Sequence, residues 1–198
     1  MLTDFSYVFF GTCALVLVVS VILLTAALRL GVPATLAYFS RPLMVAAATR
    51  NTIACIPVAV ETMTVELNAS PKACEMYIPV SFARLRFGTI LHFAAATVFT
   101  GALLGHHFGA GDILIIAVLS VAASFATLGV NGAAALAPLA AVLRPFGLPY
   151  ELVFPLLIII DPLALMVRIM VNVAVNCLIP ALAVRSRVPE AVQAAPAE

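Results

Sequence analysis

The chain contains no tryptophan. It therefore lacks the residue that often anchors a helix at a membrane–water boundary, and tyrosine and phenylalanine must serve there. It is poor in charge as well. Asp, Glu, Lys and Arg make up 10% of the residues and leave a net charge of +1. That excludes a basic face for nucleic acid. The four cysteines, Cys13, Cys55, Cys74 and Cys177, are scattered without metal or redox spacing. They read as small core residues, and no metal site or other cofactor is expected. No Ser-His pair or paired carboxylates fall within helical reach, so no catalytic residue is assigned and an enzyme is not expected. A cleavable leader is not read either. Asp4 stands where lysine or arginine would be needed, and the apolar run that follows is too long. What fills the chain instead is hydrophobic residue, 64% of the total, with a mean hydropathy of +1.18. Such a composition belongs to an integral membrane protein.

Phe5–Leu28 is uncharged and long enough to span; with Arg29 the first span is set at 5–30. Arg29 favours the cytoplasmic side. Residues 36–60 are apolar but interrupted by Thr49-Arg-Asn-Thr52 and Pro57. Each arm is too short to cross, which predicts a re-entrant hairpin with Asn51 and Thr52 near its tip; an ordinary interfacial loop is the other reading. Glu61–Lys72 reads as a solvated cytoplasmic connection. Residues 76–104 form a broken span, in which Gly88-Thr89 marks a helix break or a close backbone approach. Arg86 in that span is either buried or snorkelling from a helix end. His106 and His107 sit in a surface turn. Residues 113–145 repeat the broken pattern, with Ser124, Thr127, Gly129, Asn131 and Gly132 interrupting an apolar run. This is a second candidate hairpin. A last span covers 149–180, and 184–198 is read as a disordered cytoplasmic tail.

The last span carries the costliest residue. Asp161, Arg168, Asn172 and Asn176 interrupt an otherwise aliphatic helix. At about 100° per residue they share a stripe roughly a quarter of the circumference wide. Such a stripe should face protein or a wet cavity, and Arg168 should meet an anion. Asp161 lies about 10 Å along the same helix, a separation read as too long for a direct pair. A bound ligand is then the expected anion; backbone carbonyls and neighbouring helices are the alternative. Two broken apolar segments in matching positions also point to a transporter's binding site. The expected fold is an all-α membrane protein of three spans and two opposed re-entrant hairpins.

The chain resembles the dicarboxylate/amino acid:cation symporter family, the glutamate-transporter-like proteins, over roughly residues 5–185. Ala48-Thr-Arg-Asn-Thr-Ile-Ala-Cys-Ile-Pro57 is similar to the family's first hairpin tip. Leu85-Arg-Phe-Gly-Thr89 stands where the family has Asn-Met-Asp-Gly-Thr, and Ala126-Thr-Leu-Gly-Val-Asn-Gly132 resembles the second hairpin's tip. Asp161 to Asn176 resembles the last helix, Asp-x3-Asp-x2-Arg-Thr-x2-Asn-Val-x-Gly-Asp. The resemblance implies symport of a small anionic substrate across the cell (inner) membrane by a multi-pass, lipid-embedded protein. It implies that Arg168 holds one substrate carboxylate and Asn172 the other, supported by Thr89, Thr52 and Asn51 and closed by Val130 and Gly129. Asn176, Thr127 and Gly88 are what remains of a cation site.

The departures from the pattern narrow that expectation. Leu165 replaces the acidic residue that would pair a substrate amino group, which favours a C4-type dicarboxylate over an amino acid. Leu85 and Phe87 replace two cation ligands, so sodium coupling should be weakened or absent, with proton coupling as the other option and Arg86 as a charge substitute. Family members carry further spans ahead of this stretch. The expectation is therefore a truncated or partial unit served by a scaffold chain or a homotrimer, against the alternative of a degenerate remnant that no longer transports.

Overall fold

A computed structural model describes residues 2–184 apart from 68, 128, 129 and 131. The expected disordered tail, beyond Val184, lies outside the described residues. Every regular element among those described is helical. The α-helices are α1 (Leu2–Leu28), α2 (Val32–Thr49), α3 (Ile56–Glu61), α4 (Pro71–Arg84), α5 (Phe87–Leu103), α6 (Ala110–Phe125), α7 (Leu139–Leu143) and α8 (Tyr150–Val184). Two of them contain stretches long and apolar enough to cross a membrane, Phe9–Leu28 in α1 and Tyr150–Leu178 in α8. The chain divides into two compact units, Met1–Cys13 with Arg86–Arg168, and Ala14–Leu85 with Ile169–Glu198. All four cysteines are free and buried.

In the first unit α5, α6 and α7 pack on one another. Its core holds Phe9, Phe93, Ala96, Ile116, Leu139, Val142, Leu143, Val153 and Leu157. Two hydroxyls of α5 are satisfied within their own helix. Thr97 and Thr100 donate to the carbonyls of Phe93 and Ala96 at 2.8 and 2.7 Å, which lets them lie in an apolar core. The turn after α5 is closed by the His106 N–H on the Gly101 carbonyl, 2.8 Å, and α6 begins where Asp112 accepts the Gly109 N–H at 2.8 Å.

In the second unit α1 ends at Arg29, whose φ of 57° turns the chain out of the helix. Pro33 stands in the first turn of α2, where its missing N–H loses nothing. The Thr25 hydroxyl donates to Thr35 across that turn at 3.2 Å. Arg50 is left-handed, with φ 50°, and ends α2. A short turn, Ile53–Cys55, leads into α3, and the two arms pack side by side. The solvated connection expected from Glu61 is corrected here. The chain continues from α3 into a π-helical turn, Thr62–Glu66, and buries Thr62, Met63 and Leu67. Two of its polar residues are satisfied, although the buried Thr62 hydroxyl has no hydrogen-bond partner among the described residues. The Thr64 hydroxyl donates to the Val60 carbonyl at 2.7 Å, and Glu66 pairs with Arg41 of α2 at 2.7 Å.

In the stretch 76–104 the break stands at Leu85 and Arg86, ahead of Gly88-Thr89. The Leu85 N–H still closes α4 on the Ser81 carbonyl at 2.8 Å, whereas Thr89 and Ile90 both donate to the Arg86 carbonyl, where α5 starts.

Candidate functional site

Arg168 is among the largest fully buried side chains of the molecule, 2% exposed. It is not without an anion. Its Nη2 lies 3.5 Å from Asp161 Oδ1. The expectation that these two stand too far apart is therefore overturned. Two helical turns separate their backbones, but side chains tilt toward the helix N-terminus, and a long arginine reaches back along its own helix. The pair is loose. Asp161 Oδ1 and Arg168 Nη1 have no hydrogen-bond partner among the described residues. Half of the guanidinium fork thus remains open to a second acceptor, in a place where an unmet donor is costly.

Gly88 is what lets α5 approach that part of α8. A Cβ there would collide with the carbonyl oxygen of Arg168. The two sequence alternatives, break or close approach, resolve in favour of the approach. Thr89 is buried beside it, and its hydroxyl oxygen has no hydrogen-bond partner among the described residues. His92, one turn further on the same face of α5, is buried and meets the ring of Phe9 edge-on, with centroids 5.1 Å apart. Cys13 and Arg86 act electrostatically on Arg168. Just past α6, Thr127 is buried and its hydroxyl donates to the Ser124 carbonyl at 2.7 Å. The Val130 N–H closes on the Thr127 carbonyl at 3.2 Å. Gly129 lies outside the described residues.

The other residues singled out from the sequence belong to the second unit. Asn172 and Asn176 are fully buried on α8. Both carboxamide atoms of Asn176 lack a partner among the described residues, while its backbone carbonyl accepts from Ser81 at 3.3 Å. Thr52 is buried with an unpartnered hydroxyl. Asn51 has a local task. Its side-chain oxygen accepts the Ile53 N–H at 3.0 Å and shapes the tip after α2.

The structure thus brings Arg168, Asp161, Gly88 and, through Gly88, Thr89 together in one unit, and places Asn172, Asn176, Thr52 and Asn51 in the other. The sequence reading set Asp161 aside as a direct partner and gave His92 no role. The first was visible as a seven-residue spacing combined with arginine's reach. The second was visible as a histidine one turn from Gly88. No group of three or more His, Cys, Asp or Glu residues that could hold a metal ion occurs among the described residues. The family model for the sodium:dicarboxylate symporter family matches residues 1–186. No curated protein matches the chain.

Proposed function

From the membership of this chain in the sodium:dicarboxylate symporter family, a family of membrane transporters that couple a small substrate to a cation, we propose that it binds a C4-type dicarboxylate at Arg168. The observation that carries this reading is the buried guanidinium whose Nη1 has no hydrogen-bond partner among the described residues. A carboxylate is the ligand that fits an open arginine fork. Leu165, 7% exposed on the same helix, offers nothing to an ammonium group, which speaks against an amino acid. Thr89, buried in the same unit with an unpartnered hydroxyl, would join the seat; Asn172, Thr52, Asn51, Val130 and Gly129 are assigned to it by the family resemblance alone.

In this proposal the segments around Asn51 and around Gly129 are the tips of two re-entrant hairpins, and α4–α5 is a broken third span. The helix–tip–helix course of residues 32–66 supports the first hairpin. The multi-pass inner-membrane placement belongs to the same reading, as does assembly with a scaffold chain or as a trimer. The exposed aliphatic faces of α1 and α6, with Leu15, Val18, Ile22, Leu114 and Val118, would meet lipid or such a partner.

Sodium is read as a weak cosubstrate. Leu85 and Phe87 offer no side-chain oxygen, and the Thr127 hydroxyl, which donates to the Ser124 carbonyl, adds a single oxygen. Asn176, Gly88 and the remaining backbone supply too few ligands for a hard cation. Thermal unfolding of the purified chain with succinate, malate or fumarate tests the proposal. Stabilisation is expected, lost in Arg168→Ala, and nearly the same in sodium, potassium or no added salt. No shift with any dicarboxylate would favour a remnant that keeps the fold without transporting. A shift that requires sodium would restore ordinary coupling.

A further inference from the structure

Within the first unit Arg168 already has a resident counterion. Asp161 Oδ1 stands 3.5 Å from its Nη2, and both side chains are buried. The pair is therefore neutral before any ligand arrives, yet Nη1 has no hydrogen-bond partner among the described residues. One more positive charge acts on it from Arg86, at the break ahead of α5. The other groups that act electrostatically here are Cys13 of α1 and His92 of α5. Neither adds a formal charge in the neutral count of the chain. Two arginines against one aspartate leave a single unit of positive charge. Arg86 is half-buried and partly solvated, but a ligand on the buried Arg168 is away from water, where uncompensated charge is costly, so the best loaded seat holds one net negative charge.

We propose that Asp161 sets the charge of the ligand, so that the seat takes a C4-type dicarboxylate in its singly charged form. One carboxylate lies on Arg168 and the other carboxyl is neutral. This rests on Arg168 being the carboxylate seat. The second proton then travels on the substrate itself. A ligand that carries its own proton needs no sodium ion beside it, which agrees with Leu85 and Phe87 standing where cation ligands would be.

The test is calorimetric titration of the full chain in nanodiscs with succinate and with succinamate, its singly charged half-amide. At neutral pH succinamate is expected to bind about tenfold tighter or more, the scale of one unscreened charge a few ångströms away. Succinate should gain affinity as pH falls toward its singly protonated form, while succinamate should not. Asp161→Asn adds one positive charge and should reverse the preference in favour of succinate. Succinate binding as tightly as succinamate in both proteins overturns the role of Asp161, while loss of both ligands in Arg168→Ala keeps the seat. Binding of neither ligand by the wild type overturns both. Should Asp161→Asn fail to fold, Arg86→Gln decides. It should weaken succinate more than succinamate, and equal weakening overturns the proposal.

Discussion

At the scale of single residues, Gly88 is the position where one methyl group matters most. A side chain there would meet the backbone carbonyl of Arg168, and a carbonyl in a helix cannot rotate away. Gly88→Ala should lower stability by about 2 kcal/mol or more, at the upper end of overpacking effects. Gly11→Ala is the matched control. Nothing lies within 4 Å of a Cβ at Gly11, so this substitution should be neutral or stabilise α1 by up to about 1 kcal/mol. Thermal unfolding of the two variants in one detergent checks the contrast. Equal effects would mean that α5 can move off α8 freely. The sequence could flag Gly88 as either a break or an approach but could not choose, because the choice depends on a neighbour many residues away. Arg168 was legible for a simpler reason. A guanidinium in an aliphatic run is conspicuous in composition alone. Its pairing with Asp161 was set aside because residue spacing was read as backbone rise alone, which ignores how far a side chain leans back.

At the scale of elements, the first helix–tip–helix segment shows what polar content can hide. Its tip was readable from Thr49-Arg-Asn-Thr52, and the chain does turn there through left-handed Arg50. The far arm was ended at residue 60 because Glu61, Glu66, Asn68, Ser70 and Lys72 look solvated as a string. In three dimensions Thr64 bonds back within the helix, Glu66 is met by Arg41, and Thr62 and Met63 are buried. The Arg41–Glu66 pair joins the two arms, and the arginine side chain is 56% exposed. At that exposure it should contribute no more than about 1 kcal/mol. Glu66→Gln should therefore lower the unfolding temperature slightly at low salt and by still less at high salt. A large, salt-insensitive loss would show that the pair is shut away from water. The π-helical turn beside it has no sequence signature that could have announced it.

At the scale of the whole molecule, hydrophobicity fixed the class and little else. Long aliphatic runs sufficed to read membrane helices, and α1 and α8 contain stretches of the required length. The order of interrupted segments sufficed to suggest the family that the chain matches over residues 1–186. Where each interruption falls was not legible, because helix ends here are decided by which carbonyl the next N–H finds, as at Arg86. The burial of every cysteine has a practical outcome. Cys13 falls in one unit, and Cys55, Cys74 and Cys177 in the other. A small maleimide should therefore react slowly with the native chain and rapidly once either unit opens. Peptide mass mapping of the alkylated thiols would then tell which unit loosens first, with no label engineered in. Rapid modification of all four under native conditions would contradict the packing described. The chain in effect comes with its own four tamper seals.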